Sequence, residues 1–395
     1  MTYEQIKKNI LKYVRINGSF TIPQIAGLSG YSMTTISKHV DTMMKEGLLQ
    51  IVDFEKSGRK GRRAQLFTVR PDSFFFLGVD VKNNGLEIGL MDFAMNMVRV
   101  ESNPSYYIEN TYENFDRVCC FVEDFISSLG IDKEKISGIN FNFGGRVDSK
   151  AGTSASLFNF EETRETPLAE LLGERLGVRT FIENDTKAMA YGEYIAYGAK
   201  WQNVLFVNMS WGLGLGIILG GELYYGSNGY SGEMGHMHAY DNNILCHCGK
   251  KGCLETEVSG QAIERKLVTR IRAGESSILS GKVRSGEKIT LDDIIEATEK
   301  EDPLCIEIVS QTASELGKHL AGMVNLFNPD CIIIGGKLAR ISSFYFLQQV
   351  SVAVKLYSLK LISRNVPVLT GKLGDRSGVV GACMTAHDRV ICQDR

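Results

Sequence analysis

Glu233-Met234-Gly235-His236-Met237-His238-Ala239-Tyr240-Asp241-Asn242-Asn243-Ile244-Leu245-Cys246-His247-Cys248-Gly249-Lys250-Lys251-Gly252-Cys253-Leu254-Glu255 is the stretch that decides the fold of this 395-residue chain. It packs three of the nine cysteines into eight residues. An odd, uneven set of cysteines is a poor disulfide framework, so metal ligation is the better reading and disulfide pairing the alternative. Three thiolates and one imidazole satisfy tetrahedral zinc, and Gly249 and Gly252 let the loop fold back around it. Four protein ligands leave no open position, which makes the expected Zn2+ structural rather than hydrolytic. His236, His238 and His247 compete for the imidazole place, and spacing does not choose among them.

Outward from the loop the grammar is α/β. Upstream, Val204–Met209, Gly214–Leu219 and Glu222–Tyr225 read as a strand-hairpin unit with glycines at its first turn. Downstream come helices and an apolar strand, Cys331–Ile334, ending in Gly335-Gly336. The first half opens the same way. Phe74–Val81, Gly85–Asp92 and Met97–Tyr107 read as antiparallel strands, followed by an amphipathic helix over Thr111–Leu129 with Phe115, Val118, Phe121, Val122 and Phe125 on one stripe. Ile136–Phe143 and Val178–Ile182 have the composition of buried central strands, with helices at Pro167–Leu176 and Thr186–Tyr197. The reading is of two similar lobes, 71–197 and 198–395, with a ligand cleft between them and the last helix returning to the first lobe.

The first 70 residues differ in both pattern and charge. The whole chain is nearly neutral, but this segment carries 12 Lys+Arg against 5 Asp+Glu and the remainder 32 against 41. Such asymmetry points to a nucleic-acid-binding appendage on an acidic body. Ile6, Ile10, Leu11 and Val14 recur at helical spacing up to Asn17-Gly18. Thr21 caps a short helix through Ile22, Ile25 and Leu28, and Ser32 caps a third through Ile36, Val40, Met43 and Met44. Three helices with a tight turn before the third make a helix-turn-helix, whose recognition helix would offer Ser32, Thr34, Thr35 and Lys38 to base edges. The strands Leu48–Phe54 and Ala64–Val69 then flank a Gly-containing turn with Arg59, Lys60, Arg62 and Arg63, a wing suited to phosphates or a minor groove. No uncharged apolar run of about 18 residues is present and the N-terminus carries interleaved lysines, so neither a membrane span nor a signal peptide is expected and the cytoplasm is the expected compartment.

Glu233-Met234-Gly235-His236 with Cys246-x-Cys248-Gly249-x-x-Gly252-Cys253-Leu254-Glu255 closely resembles the signature of the ROK proteins, the repressors and sugar kinases of the actin-like ATPase superfamily. Glu183-Asn184-Asp185, glycines 212, 214 and 216, and Asn328-Pro329-Asp330-Cys331-Ile332-Ile333-Ile334-Gly335-Gly336 extend the resemblance over nearly the whole chain, which resembles the xylose- and N-acetylglucosamine-type repressors. It implies a two-lobed actin-like ATPase fold preceded by the winged helix-turn-helix. It implies His236, Cys246, Cys248 and Cys253 as the zinc ligands, and Asn184, Asp185, Glu233, His236 and Glu255 as partners of a hexose's hydroxyls. Gly145 and Arg146 stand where many members read Pro-Gly-Pro. Their Gly-Gly-Arg form resembles the N-acetylmannosamine kinase branch, which suggests an N-acetyl sugar.

In the family's kinases Asp185 would be the general base that takes the proton of the attacking sugar hydroxyl. The first phosphate loop of those kinases, Asp-x-Gly-Gly-Thr-Lys, reads here Asp80-Val81-Lys82-Asn83-Asn84-Gly85. Lys82 and Asn83 replace residues whose lack of a side chain lets backbone N–H groups approach an anion. Trp211 stands before Gly212-Leu213-Gly214-Leu215-Gly216 where kinases carry a small residue. The expectation is therefore a sugar-responsive regulator, a homodimer or tetramer on operator DNA, rather than an enzyme. An ATP-dependent sugar kinase is the alternative, and a repressor controlled by sequestration at another protein is a third possibility.

Overall fold

The computed structural model describes residues 2–54, 64–158, 160 and 166–391, and the Arg59, Lys60, Arg62 and Arg63 of the expected wing tip lie outside them. The chain divides into two compact units, Met1–Asp185 with Val379–Arg395, and Thr186–Gly378.

The first unit begins with α1 (Tyr3–Asn17), α2 (Ile22–Ser29) and α3 (Met33–Lys45). Thr2 and Thr21 each close a capping box with a glutamine three residues on, satisfying amide donors that the first helical turn leaves open. Gly30 ends α2 in the left-handed conformation that favours glycine. The buried faces, Ile6, Ile10 and Val14 on α1 and Ile36, Val40 and Met43 on α3, meet the antiparallel pair β1 (Leu49–Phe54) and β2 (Gln65–Val69). Phe76, Phe93 and Ala386 belong to the same apolar cluster. The helical segment is therefore packed onto the rest of this unit rather than merely tethered to it.

A five-stranded sheet comes next, from β3 (Phe75–Val81), β4 (Asn84–Asp92), β5 (Met97–Tyr107), β6 (Ile136–Phe143) and β9 (Thr180–Asn184), in the order β5-β4-β3-β6-β9. The β3–β4 and β4–β5 pairs are antiparallel, whereas β6 and β9 join in parallel. Between them lie α4 (Tyr112–Ser128), the two-residue pair β7 (Val147–Asp148) and β8 (Thr153–Ser154), and α5 (Leu168–Leu176). Leu77, Val79 and Val81 pack with Val118, Val122 and Leu172 on one face. The other face is seated against α13 (Ser377–Ile391). A Cβ added at Gly78 would collide with the backbone nitrogen of Cys383, one at Gly89 would stand 2.9 Å from Val379, and one at Gly138 2.8 Å from Val390. These glycines let the helix lie down on the sheet.

The second unit repeats this topology. β10 (Val204–Met209), β11 (Leu213–Leu219) and β12 (Glu222–Leu223) form the antiparallel part, and β13 (Cys331–Gly335) and β14 (Val368–Thr370) add in parallel, giving β12-β11-β10-β13-β14. The third strand is shorter than the sequence suggests, and β14 is not foreseen by it. α6 (Asp185–Ala196) precedes this sheet, and α7 (Gly260–Arg272), α8 (Ser280–Ser285), α9 (Leu291–Glu299), α10 (Pro303–Phe327), α11 (Leu347–Tyr357) and α12 (Lys360–Ser363) complete the unit. Except for Asp185, α6 belongs here, although the sequence pattern puts it at the end of the first lobe. Its residues explain why: Gly214 and Gly216 of β11 approach Thr186 and Ala190 so closely that added Cβ atoms would collide with those side chains.

Candidate functional site

The cysteine loop is closed by its own backbone. Bridges pair Leu245 with Lys251 and His238 with Cys253, and Gly252, at φ +74°, approaches the Tyr240 carbonyl so closely that a Cβ would overlap it. Glu233 leads into a short turn over Met234–His236, and Cys253 into another over Leu254–Thr256. The ligand atoms of His236, Cys246, Cys248 and Cys253 all lie within 4.8 Å of one another. His236 Nδ1 is 3.5 Å from Cys246 Sγ, and Cys248 Sγ is 3.6 Å from Cys253 Sγ. Zn–S bonds of about 2.3 Å and Zn–N bonds of about 2.0–2.1 Å at tetrahedral angles impose separations of this size. Among the three competing imidazoles the geometry favours His236. His238 is largely exposed and lies 3.9 Å from Asp241, whereas His247 Nδ1 lies 3.0 Å from Glu255 Oε1.

The same loop carries the hydroxyl-binding candidates of the second unit, and Glu255 Oε1 lies 3.9 Å from Cys246 Sγ. His236 presents Nε2 to Glu233, 3.7 Å away, so its two ring nitrogens look to opposite sides. Glu255 is buried and held at both oxygens, with His247 at Oε1 and the Leu213 amide donating to Oε2 at 2.9 Å. Burial alone would raise its pKa, but these two contacts hold the carboxyl below its ordinary value. Gly212 is required by the same carboxylate, since a Cβ there would stand 2.8 Å from Glu255 Oε2. All three glycines of this turn thus have packing duties, toward Glu255, Thr186 and Ala190.

In the first unit Asn184 ends β9 and Asp185 begins α6, both half-buried. Asn184 Nδ2 donates to the Gly145 carbonyl at 2.9 Å, which ties the Gly144-Gly145-Arg146 turn to the end of the strand. Gly145 needs its lack of a side chain twice over: its φ is +85°, and a Cβ would stand 2.6 Å from Ser156 Oγ. Arg146 is exposed, and its amide donates to that Ser156 hydroxyl. Beneath them Glu183, fully buried, accepts from the Asn184 amide at 2.9 Å and from Ser149 Oγ at 2.8 Å.

The first hairpin turn is closed on itself. Lys82 donates its amide to the Gly85 carbonyl, and its ammonium stands 2.7 Å from Glu87 Oε2 and 3.5 Å from Asp80 Oδ2. Burial raises the Asp80 pKa, against the pull of Lys82. A lysine cation thus neutralises the carboxylates at the place where the kinase pattern has glycine.

On the N-terminal helices, Ser32 is the N-cap of α3, and its hydroxyl is committed to the Thr35 amide at 3.1 Å and the Thr35 hydroxyl at 2.8 Å. Thr34 and Lys38 are exposed, and with Ser37, Asp41 and Lys45 they line an open groove beside Ile22 of α2. Sequence reasoning does not single out Ser37 and Asp41, although they follow Thr34 at helical spacing. It also misses His247 and Ser149 as partners of Glu255 and Glu183, since nothing local marks those pairings.

The sequence model of the ROK family matches residues 76–389. The chain belongs to the ROK family. This ROK chain is 25% identical over 362 residues to the DNA-binding transcriptional repressor Mlc of Escherichia coli K12, covering 91% of this chain and 87% of that protein. It is 27% identical over 389 residues to a putative xylose repressor of Caldicellulosiruptor, covering 98% and 96%. It is 28% identical over 363 residues to the dual regulator NagC of E. coli K12, covering 90% and 86%. A crystal structure of a ROK transcriptional regulator homologous to E. coli Mlc superposes with TM-score 0.83 at 23% identity over 99% of this chain and 96% of that one. A ROK glucokinase from Streptomyces griseus, solved with glucose and AMPPNP, superposes with TM-score 0.68 at 28% identity over 80% of this chain and 99% of its own. The fifth of the chain left over is close in length to the winged segment. No helix among the described residues is long and apolar enough to cross a membrane.

Proposed function

We propose that this ROK protein is a sugar-responsive DNA-binding transcriptional regulator, acting as a repressor of carbohydrate-utilisation genes. One observation carries the reading: three N-terminal helices, the third with Thr34 and Lys38 exposed, are packed onto a ROK body that keeps the residues expected to meet sugar hydroxyls. Asn184, Asp185, Glu233, His236 and Glu255 would accept from and donate to the hydroxyls of a hexose or N-acetylhexosamine, with Gly145 and Arg146 beside its substituent. His236, Cys246, Cys248 and Cys253 would hold a structural Zn2+ that keeps His236 and Glu255 in place. Thr34, Ser37 and Lys38 would read base edges, and Arg59, Lys60, Arg62 and Arg63 would meet the backbone. Relatives named as repressors match this chain over nine-tenths or more of its length.

The experiment is operator binding to a fragment from upstream of the protein's own gene, with and without a panel of glucose, xylose, N-acetylglucosamine and N-acetylmannosamine. At least one sugar should weaken binding about tenfold, a typical coupling between two ligands. Binding unchanged by every sugar would end the inducer reading. Intact Asp185 favours a second reading, an ATP-dependent sugar kinase. With Lys82 occupying the first turn, we expect no sugar-dependent ADP release above an Asp185→Asn control. Clear turnover lost in that control would reverse the choice.

We further propose a homodimer, since two half-sites on DNA call for two recognition helices. Supporting this, Leu326 near the end of α10, Val352 and Leu356 on α11, and Leu359 and Leu361 at α12 are 62–79% exposed. Leu356→Asp should convert the dimer to monomer in sedimentation and weaken operator binding. An unaltered sedimentation coefficient would place the contact elsewhere.

A further inference from the structure

At the C-terminal end of α13, two consecutive residues reach opposite neighbours. Arg389 Nη2 donates to Glu183 Oε2 at 3.1 Å and its Nη1 to the Ser149 carbonyl at 3.0 Å. Glu183 is fully buried, and its other oxygen receives the Asn184 amide. A buried carboxylate deprived of its cation is strongly destabilised, so the guanidinium and the end of β9 are energetically one object. Asp388, one residue earlier, pairs with Arg15 on α1 of the winged segment, and side chains there are only 12% and 20% exposed. Consecutive residues on a helix point about 100° apart. This places one charge toward the strand that carries Glu183 and Asn184, and the other toward the helix bundle that carries α3.

The surroundings make this end of α13 a rigid lever rather than a frayed terminus. His387 is buried against Phe76 and Phe93, with ring centroids 4.8 and 5.9 Å away. Ala386 lies in the same cluster as Ile10, Val14 and Val40, while Gly138 of β6 accepts Val390 at close range. The covalent connection is also short and pinned, since the Phe93 amide donates to the Pro71 carbonyl and Ser73 Oγ donates to that of Gly47 at 2.6 Å.

We propose that Asp388 and Arg389 of α13 couple the Asn184 end of β9, where Asp185 begins α6, to helix α1, so that occupancy of the hydroxyl-binding residues is transmitted to the DNA-binding helices. The proposal rests on the sugar-responsive reading above. Arg389 is a positioning residue: a ligand that draws Asn184 toward itself pulls on the Glu183 carboxylate, which Arg389 follows. Because α13 is seated on the sheet by close glycine contacts, movement at residue 389 is shared by residue 388 and delivered to Arg15. Packed interfaces of this kind are bistable rather than continuously deformable. Coupling between sites is a free energy and is reciprocal.

The test uses full-length, zinc-loaded protein, the upstream DNA fragment and whichever of the four sugars acts on the parent. Three quantities are read for each variant: operator Kd alone, sugar Kd alone, and the ratio of operator Kd with sugar to that without. Asp388→Asn should leave both separate Kd values within about twofold and reduce the ratio from about tenfold to under twofold, a loss of coupling without loss of either site. The charge exchange Arg15→Asp with Asp388→Arg should restore the ratio, which a merely structural anchor has no reason to do. Arg389→Gln should weaken sugar binding as well, because Asn184 loses its support. Amide exchange of α1 in the absence of DNA should slow or quicken with sugar in the parent and be indifferent to it in Asp388→Asn. A full ratio retained in Asp388→Asn overturns this proposal and leaves the inducer reading standing. A parent ratio of one with every sugar overturns both.

Discussion

Removing the metal, by chelation or by Cys248→Ser, is expected to abolish sugar binding while leaving most of the second unit folded. The cause is location. Met234 and Leu254, at the ends of the loop, are 3% and 0% exposed and belong to the main apolar cluster, whereas the residues between them contribute little to it. A structural zinc supplies on the order of 10–16 kcal/mol to small zinc-dependent folds, so a loop with so little apolar support should lose its shape outright. His236 and Glu255 would then lose their fixed places, and sugar affinity should fall by a hundredfold or more, roughly 3 kcal/mol. Metal analysis should return one zinc per chain in the parent and none in Cys248→Ser. His247→Ala separates the imidazoles: with His236 as ligand it keeps its zinc and loses only the support of Glu255. Zinc retained by Cys248→Ser, or lost from His247→Ala, would dismiss the ligand set.

The Cys/His cluster is legible in the sequence because its chemistry is local. Cysteines at 246, 248 and 253 and glycines between them are close neighbours along the chain, so the pattern survives without knowledge of the fold. The same holds for the winged segment's helices, whose caps at Thr21 and Ser32 and stops at Gly18 and Gly30 are short-range signals, although the cap at Thr2 is not singled out by the sequence pattern. The duplicated hairpins are legible for a related reason, since antiparallel strands declare themselves by their turns. β14 is not, because three residues, Val368–Thr370, are too few to carry a period and are recognised by their pairing with β13.

The glycines are the ambiguous part. Gly212, Gly214 and Gly216 read equally as a phosphate cradle and as close-packing positions, and sequence offers no means of separating the two. Three-dimensional neighbours do separate them: Glu255, Thr186 and Ala190 leave no room for side chains whether or not an anion ever binds. Lys82 is the complementary case. Its departure from the kinase pattern is visible in sequence, but its pairing with Asp80 and Glu87 depends on the antiparallel register of β3 and β4, which places Asp80 opposite Glu87. Arg389 is beyond reach altogether, 206 residues from the carboxylate it serves.

Acid should loosen the junction between the winged segment and the sheet, and His387 is the group responsible. Its imidazole is 3% exposed, its Nδ1 has no hydrogen-bond partner among the described residues, and its pKa falls from the ordinary 6.5 to about 4. Burial is the main cause and the Arg15 cation the next. The Asp388 carboxylate and a hydrogen bond with the Phe93 backbone act in the opposite direction without prevailing. Between pH 4 and 6.5 the unfolded chain therefore binds a proton that the native state refuses, and stability rises with pH through that window. The contribution is complete above about pH 6.5 and amounts to about 3 kcal/mol lost by pH 4, of which about 2 kcal/mol is gone by pH 5. Urea melts of the parent at pH 7.5 and pH 5 should differ by that much more than those of His387→Leu, which carries no titrating group into the same apolar site. An equal pH difference in the two proteins would remove His387 from the account. Because the imidazole packs on Phe76 and Phe93 within the cluster that holds α1 and α3, the loosening should reach DNA first. Operator affinity of the parent should decline below pH 6 ahead of global unfolding, and His387→Leu should hold its affinity to lower pH.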